Sequence, residues 1–484
     1  MKRSSIQEVI PALHSIQHLS HPFLPQTESQ IKTMLKAMNV SSIEDLYSII
    51  PKELRFEGKL NLPKTHSEQE TLRKIQSVLQ KNVTTDNLIS FLGAGIYSHF
   101  IPSVVPSIVN RSEFITSYTP YAPETSQGML QGLWEYQSMI AELTQLDLVN
   151  SSMYDFTTTL GEAALMSTRA TKKKVFLVPE YIQPERLNTL ITYTTGPKLK
   201  IVTYPCDKLT GQVDLEKLAS IIELKRNQIS GVYIENPNFW GVIEEEIIEV
   251  GELTHDQNSL FIIGFDPISL GLLRSPGELG ADIAIGDGQP LGLPMNFGGP
   301  LLGLFAVKND KKLVRAMPGR IIGLTTEISS SNRAFTMTLQ TREQHIRRER
   351  ATSNICTNNA LCALASTVYL SLIGPHGLKS LAETSLAKAH HLAERLSMFD
   401  EISSPHFTGP FFKEFVFTLN SPTLMDSFTK FMRTRNIIPG LSLIKDFPSL
   451  GSSYLASVTE MTTSSDMELF LDAVLEFFRT HGGK

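Results

Sequence analysis

Gly286-Asp287-Gly288-Gln289-Pro290-Leu291-Gly292-Leu293-Pro294 places three glycines and two prolines within nine residues, directly after an apolar run, Ile283–Ile285. Phe297-Gly298-Gly299-Pro300 follows, then a second apolar run, Leu302–Val307. This much glycine and proline after a strand predicts a tight, shaped loop at the carboxyl edge of a sheet. Open α/β sheets bind ligands at that edge. Upstream, Asp266 closes the run Leu260–Phe265 and points to the same edge. A strand-end aspartate followed by a strand-end loop is the layout of a pyridoxal-phosphate site. There the aspartate pairs with the pyridinium nitrogen and a loop lysine forms the Schiff base. This loop has no lysine. The nearest is Lys308, past the next run and beside Asn309, Asp310, Lys311 and Lys312, as on an exposed turn.

Four other places hold residues that could do chemistry or bind a partner. Tyr118-Thr119-Pro120-Tyr121-Ala122-Pro123-Glu124 carries two tyrosines on a path that two prolines extend. Such groups suit an interface or ligand site as well as a plain surface arm. Phe91-Leu92-Gly93-Ala94-Gly95 lacks the third glycine of a dinucleotide loop, since Ser98 stands there, so a tight turn is expected. Arg342, Arg347, Arg348 and Arg350 alternate with Glu343 and Glu349, which predicts a solvated or interface helix face. His345, His390 and His391 have no partner at metal-ligand spacing, so no metal site is expected.

These groups need a frame to hold them. Apolar runs at Val175–Val178, Ile201–Tyr204, Val232–Ile234, Leu260–Phe265, Ile283–Ile285 and Leu302–Val307 alternate with helical patterns at Pro184–Ile191, Asp214–Leu224 and Glu244–His255. Crossovers of this length imply a largely parallel or mixed sheet with helices on both faces. A long helix is expected from about Gln127. Before it, Ile31–Met38 and Ser42–Ile49 read as short helices, and Leu60–Pro63 as an extended connector. After it, Ala360–Leu372 ends at Gly374-Pro375. Then come a helix at Ser380–Leu396, a strand at Phe412–Leu419 and a helix at Asp466–Phe478. The expected domains are a helical segment at 1–65, a large α/β domain at 66–345 and a smaller α+β domain at 346–484.

Composition limits the function. Net charge is −5 and hydrophobic residues make up 41%, so neither a nucleic-acid-binding field nor wholesale disorder is expected. No apolar stretch approaches the roughly 18 residues of a membrane span. The three cysteines, Cys206, Cys356 and Cys362, form no framework, which fits a reducing, cytoplasmic setting.

Several motifs together carry a resemblance. They are Leu60–Pro63, Phe91–Gly95, Arg111-Ser112-Glu113-Phe114 through Gln127-Gly128, Asn150-Ser151-Ser152-Met153-Tyr154-Asp155, Gly288–Gly292, Met317-Pro318-Gly319-Arg320 and Ala351-Thr352-Ser353-Asn354-Ile355-Cys356-Thr357. Over nearly its whole length the chain resembles the α-type chains of two-chain glycine decarboxylase, the P-protein of the glycine cleavage system. The resemblance implies an aspartate-aminotransferase-like fold, fold type I of the pyridoxal-phosphate transferases. It implies a homologous β partner in an α2β2 heterotetramer, with pyridoxal phosphate held by the β chain. It implies glycine decarboxylation with release of CO2 and transfer of the aminomethyl group to the lipoyl arm of H-protein.

Aligned back from Pro300, the family's cofactor lysine falls on Gln289 and the preceding histidine on Gly288, while Asp266 keeps the aspartate position. No catalytic residue is therefore expected in this chain alone. Phe156-Thr157-Thr158-Thr159 replaces the family's small-residue run near that degenerate site. Tyr118, Tyr121, Thr352, Ser353, Asn354 and Thr357 are the residues expected to reach the partner's substrate and cofactor phosphate. The competing readings are a stand-alone pyridoxal enzyme using another lysine, such as Lys308, and a non-catalytic scaffold.

Overall fold

Val175–Pro179, Ile229–Asn236 and Ile283–Asp287 are buried at every position, which requires a sheet covered on both faces. The computed structural model describes residues 27–481, apart from 57, 59, 86, 118, 329, 340, 341, 354 and 356. The chain forms two compact units, Met1–Asn82 and Val83–Lys484. The boundary expected at residue 65 falls inside the first of them.

Within the first unit, two helices, Glu28–Ala37 and Glu68–Leu79, each open with a capping box, Thr27 with Gln30 and Ser67 with Glu70. The helix expected at Ser42–Ile49 is only a short 3-10 turn, Glu44–Tyr47. The Asp45 carboxylate accepts from the Ser41 and Ser42 amides at 2.8 and 2.9 Å, and this local bonding closes a turn instead.

The second unit is built on a seven-stranded sheet. Its strands are β1 (Leu148–Val149), β2 (Val175–Pro179), β3 (Lys200–Tyr204), β4 (Ile229–Asn236), β5 (Leu260–Phe265), β6 (Ile283–Asp287) and β7 (Gly303–Val307), in the order β1-β7-β6-β5-β4-β2-β3. Neighbours from β3 across to β6 run parallel, and β7 is antiparallel to both β6 and β1. The mainly parallel mixed sheet is as expected. Helices Gln127–Thr144, Phe156–Thr171, Pro184–Thr195, Leu215–Leu224 and Ile247–His255 flank it in chain order. A smaller antiparallel sheet runs Ile402–Ser403, Glu414–Leu419, Ser453–Ser457, Leu441–Ser442. Ala389, Leu392, Phe470 and Phe477 share one apolar cluster with it. The long helical stretch Ala360–Leu396 is broken at Gly374, whose φ of +58° lies in the left-handed region next to Pro375.

Two features were not foreseen. An antiparallel hairpin, Ile321–Thr326 with Arg333–Thr338, packs on helix Gln127–Thr144. Two glutamines on that helix clip it. Gln137 accepts from the Ile322 amide at 2.8 Å and donates to its carbonyl at 3.0 Å. Gln127 does the same to Phe335, at 2.8 and 3.0 Å. The second feature lies in the arginine-rich segment. Its helix, Gln344–Arg347, and the 3-10 turn Arg348–Arg350 form a solvated face as expected, with Arg347, Arg348 and Arg350 exposed. Arg342, by contrast, turns inward and donates to the main-chain carbonyls of Val314, Met317 and Gly319.

Gln137→Leu is expected to destabilise the fold by about 3 kcal/mol. It removes two hydrogen bonds and leaves the buried Ile322 amide and carbonyl unsatisfied. Urea unfolding of the two chains measures the difference.

Candidate functional site

The carboxyl ends of β4, β5 and β6 meet at one cavity. Pro237 and Asn238 follow β4, Asp266 and Pro267 follow β5, and Asp287 ends β6. Tyr97, Phe156, Arg186, Lys413 and Glu414 close it from other elements. Asp266 and the Gln289 loop thus share an edge, as the sequence predicts. The space inside that remains for the centre of a water-sized sphere is about 40 Å³.

The chain's own side chains fill the rest. Lys413 is 1% exposed, and its Nζ lies 2.6 Å from Asp266 Oδ2. The same ammonium sits 3.3 Å from His99 Nε2 and 3.6 Å from the centre of the Tyr97 ring. A carboxylate, an imidazole lone pair and an aromatic face together satisfy its three N–H donors. Burial, then the nearby Lys413 charge, holds the His99 pKa below its usual value. The neutral ring then donates from Nδ1 to Glu460 Oε2 at 2.7 Å and leaves Nε2 free to accept. The other Asp266 oxygen accepts from the Ile268 amide at 3.0 Å.

Lys413 directly precedes the strand Glu414–Leu419, and its neighbour lines the same cavity. Glu414 accepts from the Ala94 amide and the Tyr97 hydroxyl, both at 2.7 Å. Burial raises the Glu414 pKa. Gly241 permits this approach: its φ is +82°, and a Cβ there would stand 2.0 Å from the Glu414 carbonyl oxygen. The Phe91–Gly95 segment is the expected tight turn, with positive φ at Ala94 and Gly95.

Gln289 is 1% exposed and bonded throughout. Its Oε1 accepts from the Tyr97 amide, and its Nε2 donates to the carbonyls of Tyr97 and Leu293, all at 2.9 Å. Its own amide donates to Asp287 Oδ1 at 2.9 Å. The start of helix Phe156–Thr171 is also taken. Asp155 accepts from the Thr158 amide at 2.7 Å, and Asp287 from the Phe156 amide at 3.2 Å. Two carboxylates therefore occupy a position where amides would otherwise hold a phosphate. Pyridoxal phosphate does not fit these residues. The loop lysine is missing, Asp266 already has its cation, and the amides at the phosphate end are taken.

The stand-alone alternative fares no better with Lys308. It follows antiparallel β7, so it lies at the opposite edge of the sheet, where its Nζ pairs with Asp282 at 2.6 Å.

A second place gathers the other expected residues. Tyr118 and Asn354 lie outside the described residues. The Tyr121 hydroxyl accepts from Arg320, whose guanidinium stands 4.5 Å over the Tyr121 ring. Arg320 also donates to both Glu343 oxygens at 2.9 Å. Thr352, Ser353, Arg320, Arg342 and Glu343 line one small cavity. The Ser353 hydroxyl donates to the buried Glu162 at 2.8 Å, so it is turned inward. Thr357 is half-buried beside Asn358, which donates to the Ser151 hydroxyl at 3.1 Å. Asn150 reaches the Pro318 carbonyl, and the Ser151 amide reaches that of Arg320. Hydrogen bonds thus join Tyr121, Asn150, Ser151, Pro318, Arg320 and Asn358, which are far apart in sequence.

Sequence reasoning missed Lys413, Tyr97, His99, Arg320 and Glu343. The signal for Lys413 was a charged pair, Lys413-Glu414, inside the apolar run Phe411–Leu419.

Burial pushes the Asp287 carboxyl up to about 7, against the pull of the Gln289 and Phe156 amides. A carboxyl whose folded pKa is raised favours folding at low pH, and that contribution is lost as pH rises towards 7. Between pH 5 and 8 the unaltered chain is expected to lose up to about 3 kcal/mol from this group. Asp287→Asn should flatten that slope, measured by urea unfolding across the range.

The family profile described as Glycine cleavage system P-protein matches residues 21–474. The chain is 49% identical over 443 residues to a "Probable glycine dehydrogenase (decarboxylating) subunit 1" of Thermococcus onnurineus, covering 92% of this chain and 96% of the relative. It is 45% identical over 452 residues to a protein of the same description from Carboxydothermus hydrogenoformans, covering 93% and 99%. The crystal structure of a glycine decarboxylase (P-protein) of the glycine cleavage system in inhibitor-bound form superposes with a TM-score of 0.84 at 36% identity, covering 93% and 99%. A Burkholderia pseudomallei sphingosine-1-phosphate lyase, at 14% identity with a TM-score of 0.64 and coverage of 89% and 94%, shares the fold. The profile match over residues 21–474, relatives at up to 49% identity over nine-tenths of the chain and a P-protein's shape agree: this chain belongs to the glycine cleavage system P-protein family.

Proposed function

We propose that this chain is the α subunit of a two-chain glycine decarboxylase and holds no cofactor itself. A homologous β chain holds pyridoxal phosphate, and the two assemble as an α2β2 heterotetramer. Together they decarboxylate glycine, release CO2 and pass the aminomethyl group to the lipoyl arm of H-protein. The chain alone is inactive, and the setting is cytoplasmic. Residues 66–345 and 346–484 serve as its large and small domains. The names of its relatives, with the words "decarboxylating" and "subunit 1", support the reaction and the need for a partner.

The contrast between the two places carries the reading. At Asp266 the chain's own Lys413 takes the cofactor's position. At Arg320, the Tyr121 arm and the Thr352–Thr357 stretch come together from distant parts of the sequence. A bidentate ion pair with Glu343 fixes the Arg320 fork. Tyr121, held on that fork, keeps 47% of its surface exposed. A rigid aromatic with a polar tip, open on one face, suits a group lent to a neighbour's site. In this reading Tyr121, with Tyr118, lines the partner's substrate cavity. Thr352, Asn354 and Thr357 face its cofactor phosphate. Ser353 acts by holding the stretch onto Glu162.

The test is reconstitution with the β chain. Tyr121→Phe is expected to assemble normally and to lower glycine–bicarbonate exchange about fivefold, the worth of about one hydrogen bond. Unchanged exchange would remove Tyr121 from the site. A β chain that is equally active without this chain would favour the scaffold reading.

A further inference from the structure

The cavity at Asp266 differs from a merely vacant cofactor site. Its central carboxylate is paired, at 2.6 Å, with an ammonium from the same chain. That ammonium comes from the residue just before the strand Glu414–Leu419 of the small sheet, while Asp266 follows β5 of the large one. The lysine is held on three sides by Asp266, His99 and the Tyr97 ring. His99 is itself braced by Glu460, whose own carbonyl accepts from Lys388 at 2.7 Å. A buried lysine with every donor engaged is an installed cation, since burying an unpaired one would be prohibitive.

We propose that Lys413 is the built-in occupant of this site. Its ammonium supplies the positive charge that a pyridinium ring would bring to Asp266, and its presence, rather than the absence of a lysine at 289, closes the cavity to pyridoxal phosphate. Two features of the same cavity support this. Gln289 clips Tyr97 through its amide and carbonyl, which presses the Tyr97 ring onto the Lys413 ammonium. Asp155 and Asp287 already hold the amides at the start of helix Phe156–Thr171, so those amides are not free for a phosphate. The inference concerns this chain alone and stands whatever the partner does.

The test places a lysine at 289 in two backgrounds, Gln289→Lys and Gln289→Lys with Lys413→Ala. Each full chain is incubated with pyridoxal, which lacks the phosphate and so does not need those amides. Borohydride then fixes any imine, and peptide mass spectrometry locates it. With Lys413 present, position 289 is expected to stay at background. With Lys413→Ala, labelling there should rise at least tenfold. Lys413→Ala leaves Asp266 buried and unpaired, and should lower the melting temperature by about 5 °C or more. Propylammonium, which matches the vacated side chain, should restore it and lets the double variant be prepared folded, then dialysed into the probe. Equal labelling of position 289 in the two backgrounds, or none in either, would overturn the proposal. So would labelling of Lys413 in the unaltered chain, or no recovery with propylammonium.

Discussion

The ion pair between Lys413 and Asp266 is what the second unit is arranged around. Two charges 2.6 Å apart and shielded from water attract strongly, but each also loses its hydration. The pair is tolerable only because every remaining donor and acceptor finds a partner. His99 and Tyr97 from one segment and the Ile268 amide from another supply those partners. The pair therefore holds the small sheet, the strand ends of the large sheet and the Tyr97–His99 segment at one point. In a pyridoxal enzyme a ligand would sit there. In this chain the junction is covalently part of the protein.

Side-chain amides make the other junctions. Gln127, Gln137 and Gln289 each present one acceptor and one donor to the amide and carbonyl of a single residue, Phe335, Ile322 and Tyr97 in turn. Glutamine matches that pair of groups without a charge, so it can be buried at little cost. A lysine at 289 could donate to the Tyr97 carbonyl but could not accept from its amide. With Gln289 the loop fastens the segment that in turn covers Lys413. The same economy appears at the second place, where Arg320 holds Tyr121 and Glu343 together and leaves one face of the tyrosine open.

Much of this was legible in the sequence, for physical reasons. Continuous apolar runs gave β2 to β7, because strands buried on both faces leave little room for polar residues. Asp266 and the Gln289 loop were legible because strand ends, glycines and prolines mark the ligand edge of such sheets. Lys413 was not, because both members of the charged pair Lys413-Glu414 are buried and the partner of each lies far away in sequence. The hairpin at Ile321–Thr338 was missed because its stability rests on Gln127 and Gln137, which look like ordinary surface positions of a helix. The arginine segment was legible in part. Arg347, Arg348 and Arg350 are solvated as their charges suggest, whereas Arg342 is bonded to three main-chain carbonyls.

The account's central claim is that this chain completes a cofactor site without holding one. The most direct test is the cofactor content of the complex formed with the β chain, measured by alkaline release of pyridoxal phosphate against protein concentration. One molecule of pyridoxal phosphate per pair of chains is the expected result. Two per pair would place a cofactor in the cavity that Lys413 fills, and would contradict the account.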